Sequence, residues 1–193
     1  MKFIGDFSID SQICDRLIEL HRACDRLGLV KAGRIYSAGA SDASVDAKKK
    51  ESLDVAVGDV AEDLQNQYGV PLYIRELQRC THEYLERYRH LQIAKFGVKE
   101  SPIIQHYRPG GGFKAEHFER SNLATATRML VWMTFLNDVT DEGGTRFVYQ
   151  DATFEARRGR TLVWPSDFTH THVGVVSPSQ HKYIITGWFN FVA

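Results

Sequence analysis

The stretch "YRPGGGFKAEHFERSN", residues 107–122, decides how the rest of the chain is read. A glycine-rich run leads into His117-Phe118-Glu119. In an extended strand, side chains i and i+2 leave the same face, so an imidazole and a carboxylate would point into one space. The pair alone carries little. Eight histidines and 24 acidic residues among 193 positions give about one His-x-acid by chance, and the chain has one. Its meaning depends on what else the fold brings to the same place.

A third ligand is available in "WPSDFTHTHVGVVSPSQHKYIITGWFNF", residues 164–191, where His170 and His172 both fall between strand-like segments. Two histidines and one carboxylate on three adjacent positions form the facial triad of non-haem iron(II) oxygenases, which leaves positions open for small molecules. A structural zinc site would use four ligands, usually including cysteine, and this half of the chain has none. In the last strand, Lys182, Ile184, Thr186, Trp188 and Asn190 share one face, and Tyr183, Ile185, Phe189 and Phe191 the other. A lysine facing inward among such neighbours needs an anion; a small dicarboxylate fits. At the exposed start of a strand, the same lysine would simply reach outward to solvent.

Working outward, the chain has a helical front and a strand-rich back. "DSQICDRLIELHRACDRLG" places Ile13, Leu17, Leu20, Cys24 and Leu27 at spacings of three and four, with Asp10 or Ser11 to cap it and Gly28 to end it. Helix is also expected over Val57–Tyr68, and again from Pro71, with Leu72, Leu77, Cys80, Tyr84, Leu85 and Tyr88 on one side. Residues 29–52, rich in Gly, Ala, Ser and Asp, read as a long loop with a short strand around Arg34–Ser37, and loops of that length are often lids. From about Ser101, "PIIQHY", "RMLVWMTFLNDV", "TRFVY", "TLVWP" and "KYIITGWFNFV" are short, β-branched or aromatic, and separated by turn residues, as in a sandwich or barrel.

The length suits one domain with a single core. Lys+Arg and Asp+Glu are both 24, which gives no general attraction to nucleic acid or anionic membranes. The run Lys48-Lys49-Lys50 reads as a solvated loop. No stretch approaches the ~18 apolar residues of a membrane span, and "MKFIGDFSIDSQ" meets Gly and Asp too early for a secretory signal. Cys14, Cys24 and Cys80, odd in number and without metal-type spacing, read as reduced, buried thiols of a cytoplasmic protein.

From Gln105 to Val192 the sequence resembles the 2-oxoglutarate/iron(II)-dependent dioxygenase superfamily, in its prolyl 4-hydroxylase-like branch. "HYRPGGGFKAEHFE" resembles the family's Tyr, glycine-containing loop and His-x-acid. "RMLVWMTFLNDVTDEGGTRF" resembles its next strand and acidic Gly-Gly turn. "HVGVVSPSQHKYIITGW" resembles its distal His, a Lys ten residues on and a Trp six beyond. The resemblance implies a mainly β fold, a double-stranded β-helix (a cupin-like jelly roll, residues 99–193) with N-terminal helices packed on one sheet. Residues 1–98 would supply that helical support and the 29–52 lid, all within a single domain.

The resemblance also implies roles. His117, Glu119 and His172 would bind Fe(II), and Lys182 would pair with the distal carboxylate of 2-oxoglutarate. Tyr107 would donate to that co-substrate, and Thr186 and Trp188 would line its pocket. The family spacing to Lys182 selects His172 as ligand and leaves His170 as a supporting or surface residue. Glu119 stands where the family usually has Asp, and one extra residue separates Tyr107 from His117, which bears on Tyr107 and on Phe113 at the substrate mouth. The implied reaction couples oxidative decarboxylation of 2-oxoglutarate by O2, yielding succinate and CO2, to hydroxylation of an unactivated C–H bond, with ascorbate as a reductant. The expected substrate is a prolyl residue of a peptide or protein, then a free amino acid or other small molecule. A non-catalytic metal-binding jelly roll is the reading from another class.

Overall fold

The computed structural model describes residues 2–36 and 42–192. Its strands are β1 (Gly5–Ser8), β2 (Leu53–Ala56), β3 (Ile103–Tyr107), β4 (Arg128–Phe135), β5 (Thr145–Phe147), β6 (Ala152–Phe154), β7 (Arg160–Pro165), β8 (His172–Gly174) and β9 (Lys182–Phe191). The major sheet runs β1-β7-β4-β9-β3-β2 and ends on Lys31–Ala32, with Phe96–Val98 pairing the far end of β9. The minor sheet runs β6-β5-β8. Both are antiparallel, and together they form the jelly roll of a double-stranded β-helix.

The helices are α1 (Ser11–Arg26), α2 (Glu62–Gln67) and α3 (Val70–Arg87). The Asp10 carboxylate caps α1 by accepting from the Gln12 N–H at 2.9 Å, and Gly28 follows its end at φ 70°. Pro71 lies in the first turn of α3, as its missing N–H allows. Leu17, Leu20, Tyr73, Leu77 and Tyr84 of α1 and α3 pack with Ile104, Leu130, Trp132, Ile185 and Phe189 on one face of the major sheet. Tyr107, Val131, Met133, Phe135, Leu162, Trp164 and Ile184 pack with Phe147 and Phe154 of the minor sheet on the other. Every residue of β4 is buried, as follows for a strand covered on both sides. Gly187 of β9 is needed where Trp132 lies across the sheet, since a Cβ there would sit 2.3 Å from the indole.

Three local expectations are corrected. Val57–Tyr68 is not one helix but a 3-10 turn at Val57–Asp59 followed by α2, because Val57 and Val60 leave the end of β2 to fill the core. Segment 29–52 holds short strands: Lys31–Ala32, Ile35–Tyr36 paired with Ala43–Ser44, and Lys50–Glu51. Ile35–Tyr36 is the strand expected at Arg34–Ser37, and Ser37 lies outside the described residues. Lys50–Glu51 pairs with Gly112–Phe113 of the glycine run, so closely that a Cβ on Gly111 would sit 2.9 Å from the Glu51 carbonyl oxygen. That pairing turns Lys50 inward, where it is buried and its Nζ lies 2.8 Å from Asp54, while Lys48 and Lys49 stay in solvent. Cys14, Cys24 and Cys80 are free and buried, and burial pushes the Cys14 thiol up to about 12.

Candidate active site

The space between the sheets opens into a cavity of about 870 Å³, lined by all seven residues singled out in the sequence. Its metal-type corner is built by backbone pairing. His117 and His172 face each other as an isolated antiparallel bridge, exchanging N–H···O bonds of 3.0 and 2.9 Å, so both side chains leave one face. The Glu119 N–H is held by the Ser166 carbonyl at 3.1 Å. Thus a bridge in a loop, and not a continuous strand, produces the same-face relation of His117 and Glu119.

Glu119 Oε1 lies 3.4 Å from His117 Nε2 and 3.6 Å from His172 Nε2, and the three ligand atoms fall within 4.8 Å of one another. Each ring's Nδ1 is 2.9 Å from a backbone carbonyl, of Ala115 for His117 and of His170 for His172. When a cation takes each Nε2, those carbonyls hold the ring proton on Nδ1. Burial, then the neighbouring His172, lowers the His117 pKa, which keeps the ring neutral as a ligand must be. Burial opposes ionisation of Glu119, but the two imidazoles outweigh it and hold the carboxyl well below its usual range. The donor set, two neutral imidazoles and one carboxylate, fits an Fe(II) ion. Phe113 stacks on His117 at 3.6 Å and 9°.

His170 is not in this cluster. It is buried in the 3-10 turn Phe168–His170, its Nδ1 3.0 Å from the Thr169 hydroxyl and its ring beside Phe3. It reaches the site through its backbone oxygen on His172.

At the other end of the cavity, Lys182 and Tyr107 are directly opposed on β9 and β3. Lys182 is buried, its Nζ 5.0 Å from the Tyr107 ring centre, and it donates to the Gly143 and Val175 carbonyls at 3.0 and 3.1 Å. Gly143 adopts φ 75°, which glycine takes without strain. No carboxylate among the described residues pairs with Lys182, and burial drives its pKa down to about 8. The Tyr107 hydroxyl donates to Gln105 Oε1 at 2.6 Å, and burial, then Asp54 and Glu119, pushes its pKa well up, so it stays a donor. Thr186 lines the wall with its hydroxyl spent on the Trp132 carbonyl at 2.8 Å. Trp188 does more than line: its Nε1–H donates to Glu119 Oε2 at 3.0 Å.

Arg128, missed in the sequence, donates to Glu119 and lies on Trp188, with its guanidinium carbon 3.7 Å from the ring centre. Strand parity would put it with Leu130 and Trp132 on the helix side. A bulge between Arg128 and Leu130 pairs it with Asn190 and turns it into the cavity.

Residues 102–190 match the family model of the 2OG-Fe(II) oxygenase superfamily. Over those residues, a little under half of the chain, the sequence is similar to that superfamily. The protein is an Fe(II)- and 2-oxoglutarate-dependent dioxygenase. Among curated proteins, none matches the sequence. Solved structures do. A viral collagen prolyl hydroxylase from Paramecium Bursaria Chlorella virus-1, bound to 2OG, is similar at TM-score 0.67 and 18% identity over 99% of this chain and 97% of that one. A Pseudomonas putida prolyl-4-hydroxylase is similar at 0.69 and 15% over 98% and 93%. A Trichoplax adhaerens prolyl hydroxylase, complexed with a hypoxia inducible factor peptide fragment, is similar at 0.71 and 15% over 97% and 84%. At these identities the likeness is one of fold. Among the described residues no helix is long and apolar enough to cross a membrane.

Proposed function

We propose that His117, Glu119 and His172 hold Fe(II), that Lys182 and Tyr107 seat 2-oxoglutarate, and that the oxygenase hydroxylates a prolyl residue of a peptide or protein. Residues 1–193 act as one catalytic domain in this reading, with the described residues of 29–52, among them Ile35, Tyr36 and Ala43 on the cavity wall, covering the mouth. The observation that carries it is one cavity with a three-ligand cluster at one end and an anion-seeking lysine at the other. Bound there, the iron and co-substrate supply oxidative decarboxylation and O2-derived hydroxylation of an unactivated C–H bond.

The chain's own residues supply placement. Lys182 Nζ exchanges two carbonyl contacts for a charge-assisted bond to the distal carboxylate, and the Tyr107 hydroxyl turns from Gln105 to the same group. The Ala115 and His170 carbonyls keep each imidazole proton on Nδ1. Phe113, stacked on His117, shields that face from water. The prolyl substrate rests on the fold shared with prolyl hydroxylases, among them one holding a peptide. Incubation of the protein with Fe(II), 2-oxoglutarate, O2 and a proline-rich peptide should yield succinate and a peptide heavier by one oxygen at proline, and His172→Ala should yield neither. Succinate formed with free amino acids but not with peptides would overturn the substrate; no succinate with any substrate would overturn the seating of iron and co-substrate.

A further inference from the structure

Glu119 offers two oxygens, and the structure treats them differently. Oε1 faces both imidazoles, whereas Oε2 accepts from Trp188 Nε1 at 3.0 Å and lies 3.4 Å from Arg128 Nη1. Arg128 Nη1 is also 3.2 Å from the Glu119 backbone oxygen. The other edge of the guanidinium is taken by Glu100 in a two-point contact, Nε to Oε1 at 2.8 Å and Nη2 to Oε2 at 2.5 Å. Glu100 is itself held by Asn190 Nδ2 at 2.9 Å. The Arg128 fork is therefore divided, with its paired edge on Glu100 and only Nη1 turned to Glu119.

That division matters for a ligand with three rotatable bonds. A glutamate free at both oxygens could chelate a cation with both and fill a position that O2 or the co-substrate needs. An arginine free at both edges could take the carboxylate in a fork of its own, its preferred geometry, and draw it off the metal. We propose that Arg128, restrained by Glu100 and seated on Trp188, is a positioning residue that holds Glu119 Oε2 back so that Oε1 alone reaches the iron. The proposal rests on the reading of His117, Glu119 and His172 as the iron site. The bulge between Arg128 and Leu130 is what aims Arg128 at its task, and bulges beside active sites commonly re-aim a side chain.

Anaerobic titration with Co(II) and with Fe(II), read by calorimetry, tests it in a double-mutant cycle. Arg128→Lys keeps the charge but loses the divided fork, and should weaken metal binding about tenfold, the range seen when partners of metal ligands are removed. Glu119→Asp shortens the ligand by a methylene and takes the second oxygen away from Arg128. In that background Arg128→Lys should change affinity less than about twofold, leaving a coupling that a purely structural arginine would not produce. Glu100→Gln, at a half-exposed position that leaves the core intact, should reproduce the loss if Arg128→Lys does not fold. An equal loss in both backgrounds, or parent-like affinity in folded Arg128→Lys and Glu100→Gln, overturns the positioning role while the iron site stands. A parent protein that binds neither metal overturns the iron site, and the positioning role with it.

Discussion

The two ends of one cavity wall differ in how they treat a buried charge. At the start of β9, Lys182 has no anion among the described residues and leans on two backbone carbonyls. Near its other end, Glu119 is surrounded by donors and its neighbour Arg128 is ion-paired on both edges. A buried cation without a partner is unfavourable in the free protein and becomes favourable when a dicarboxylate arrives. A carboxylate with every oxygen assigned is already in the geometry it needs. In the proposed reading, one end awaits 2-oxoglutarate and the other is prearranged to hold iron.

The largest effects should come from breaking that contrast. Lys182→Ala should raise the Kd of 2-oxoglutarate roughly 100-fold or more, the loss typical of a buried charge partner, with thermal stability close to the parent's because the uncompensated charge leaves with the side chain. Parent-like affinity in isothermal titration would remove Lys182 as the anchor. The pH dependence sharpens the same point. With a free-protein pKa of about 8, Lys182 is charged at neutral pH and neutral above 8. A carboxylate partner favours its charged form, so binding above pH 8 takes up a proton and the Kd should rise about tenfold per unit once pH exceeds 8. A flat profile from pH 7 to 9.5 would contradict the assignment. Trp188→Phe at the prearranged end keeps the stack under Arg128 but deletes the Nε1–H to Glu119. Metal affinity should fall about tenfold while 2-oxoglutarate affinity in the loaded protein stays put, measured by the same titration. The smallest effect belongs outside the cavity. Lys114→Ala removes an exposed ion pair with Glu51 and should shift stability by less than about 1 kcal/mol in chemical unfolding.

The same contrast explains what the sequence showed and what it hid. Lys182 and Trp188 were legible because β9 alternates strictly, so parity assigned their face. The back-half strands and α1 were legible from periods of two and of three to four. Arg128 was hidden because the bulge breaks the parity of β4, and Glu100 because its partner was hidden. Lys50 was misread because a run of lysines looks solvated, and only the pairing of Lys50–Glu51 with Gly112–Phe113 turns one of the three inward. Strands β1 and β2 were missed as four-residue segments whose partners lie far along the chain. Glu119 was visible as a ligand type, but the difference between its oxygens comes from Arg128 and Trp188, whose approach to Oε2 no spacing along the chain shows.

The most direct test is the visible charge-transfer band formed on adding 2-oxoglutarate to the anaerobic Fe(II)-loaded protein. A band in the parent at pH 7, none in His172→Ala, and one in Lys182→Ala that needs far higher 2-oxoglutarate would establish both ends of the cavity together. A parent without the band, or a Lys182→Ala protein that develops it at the parent's concentrations, would contradict the account.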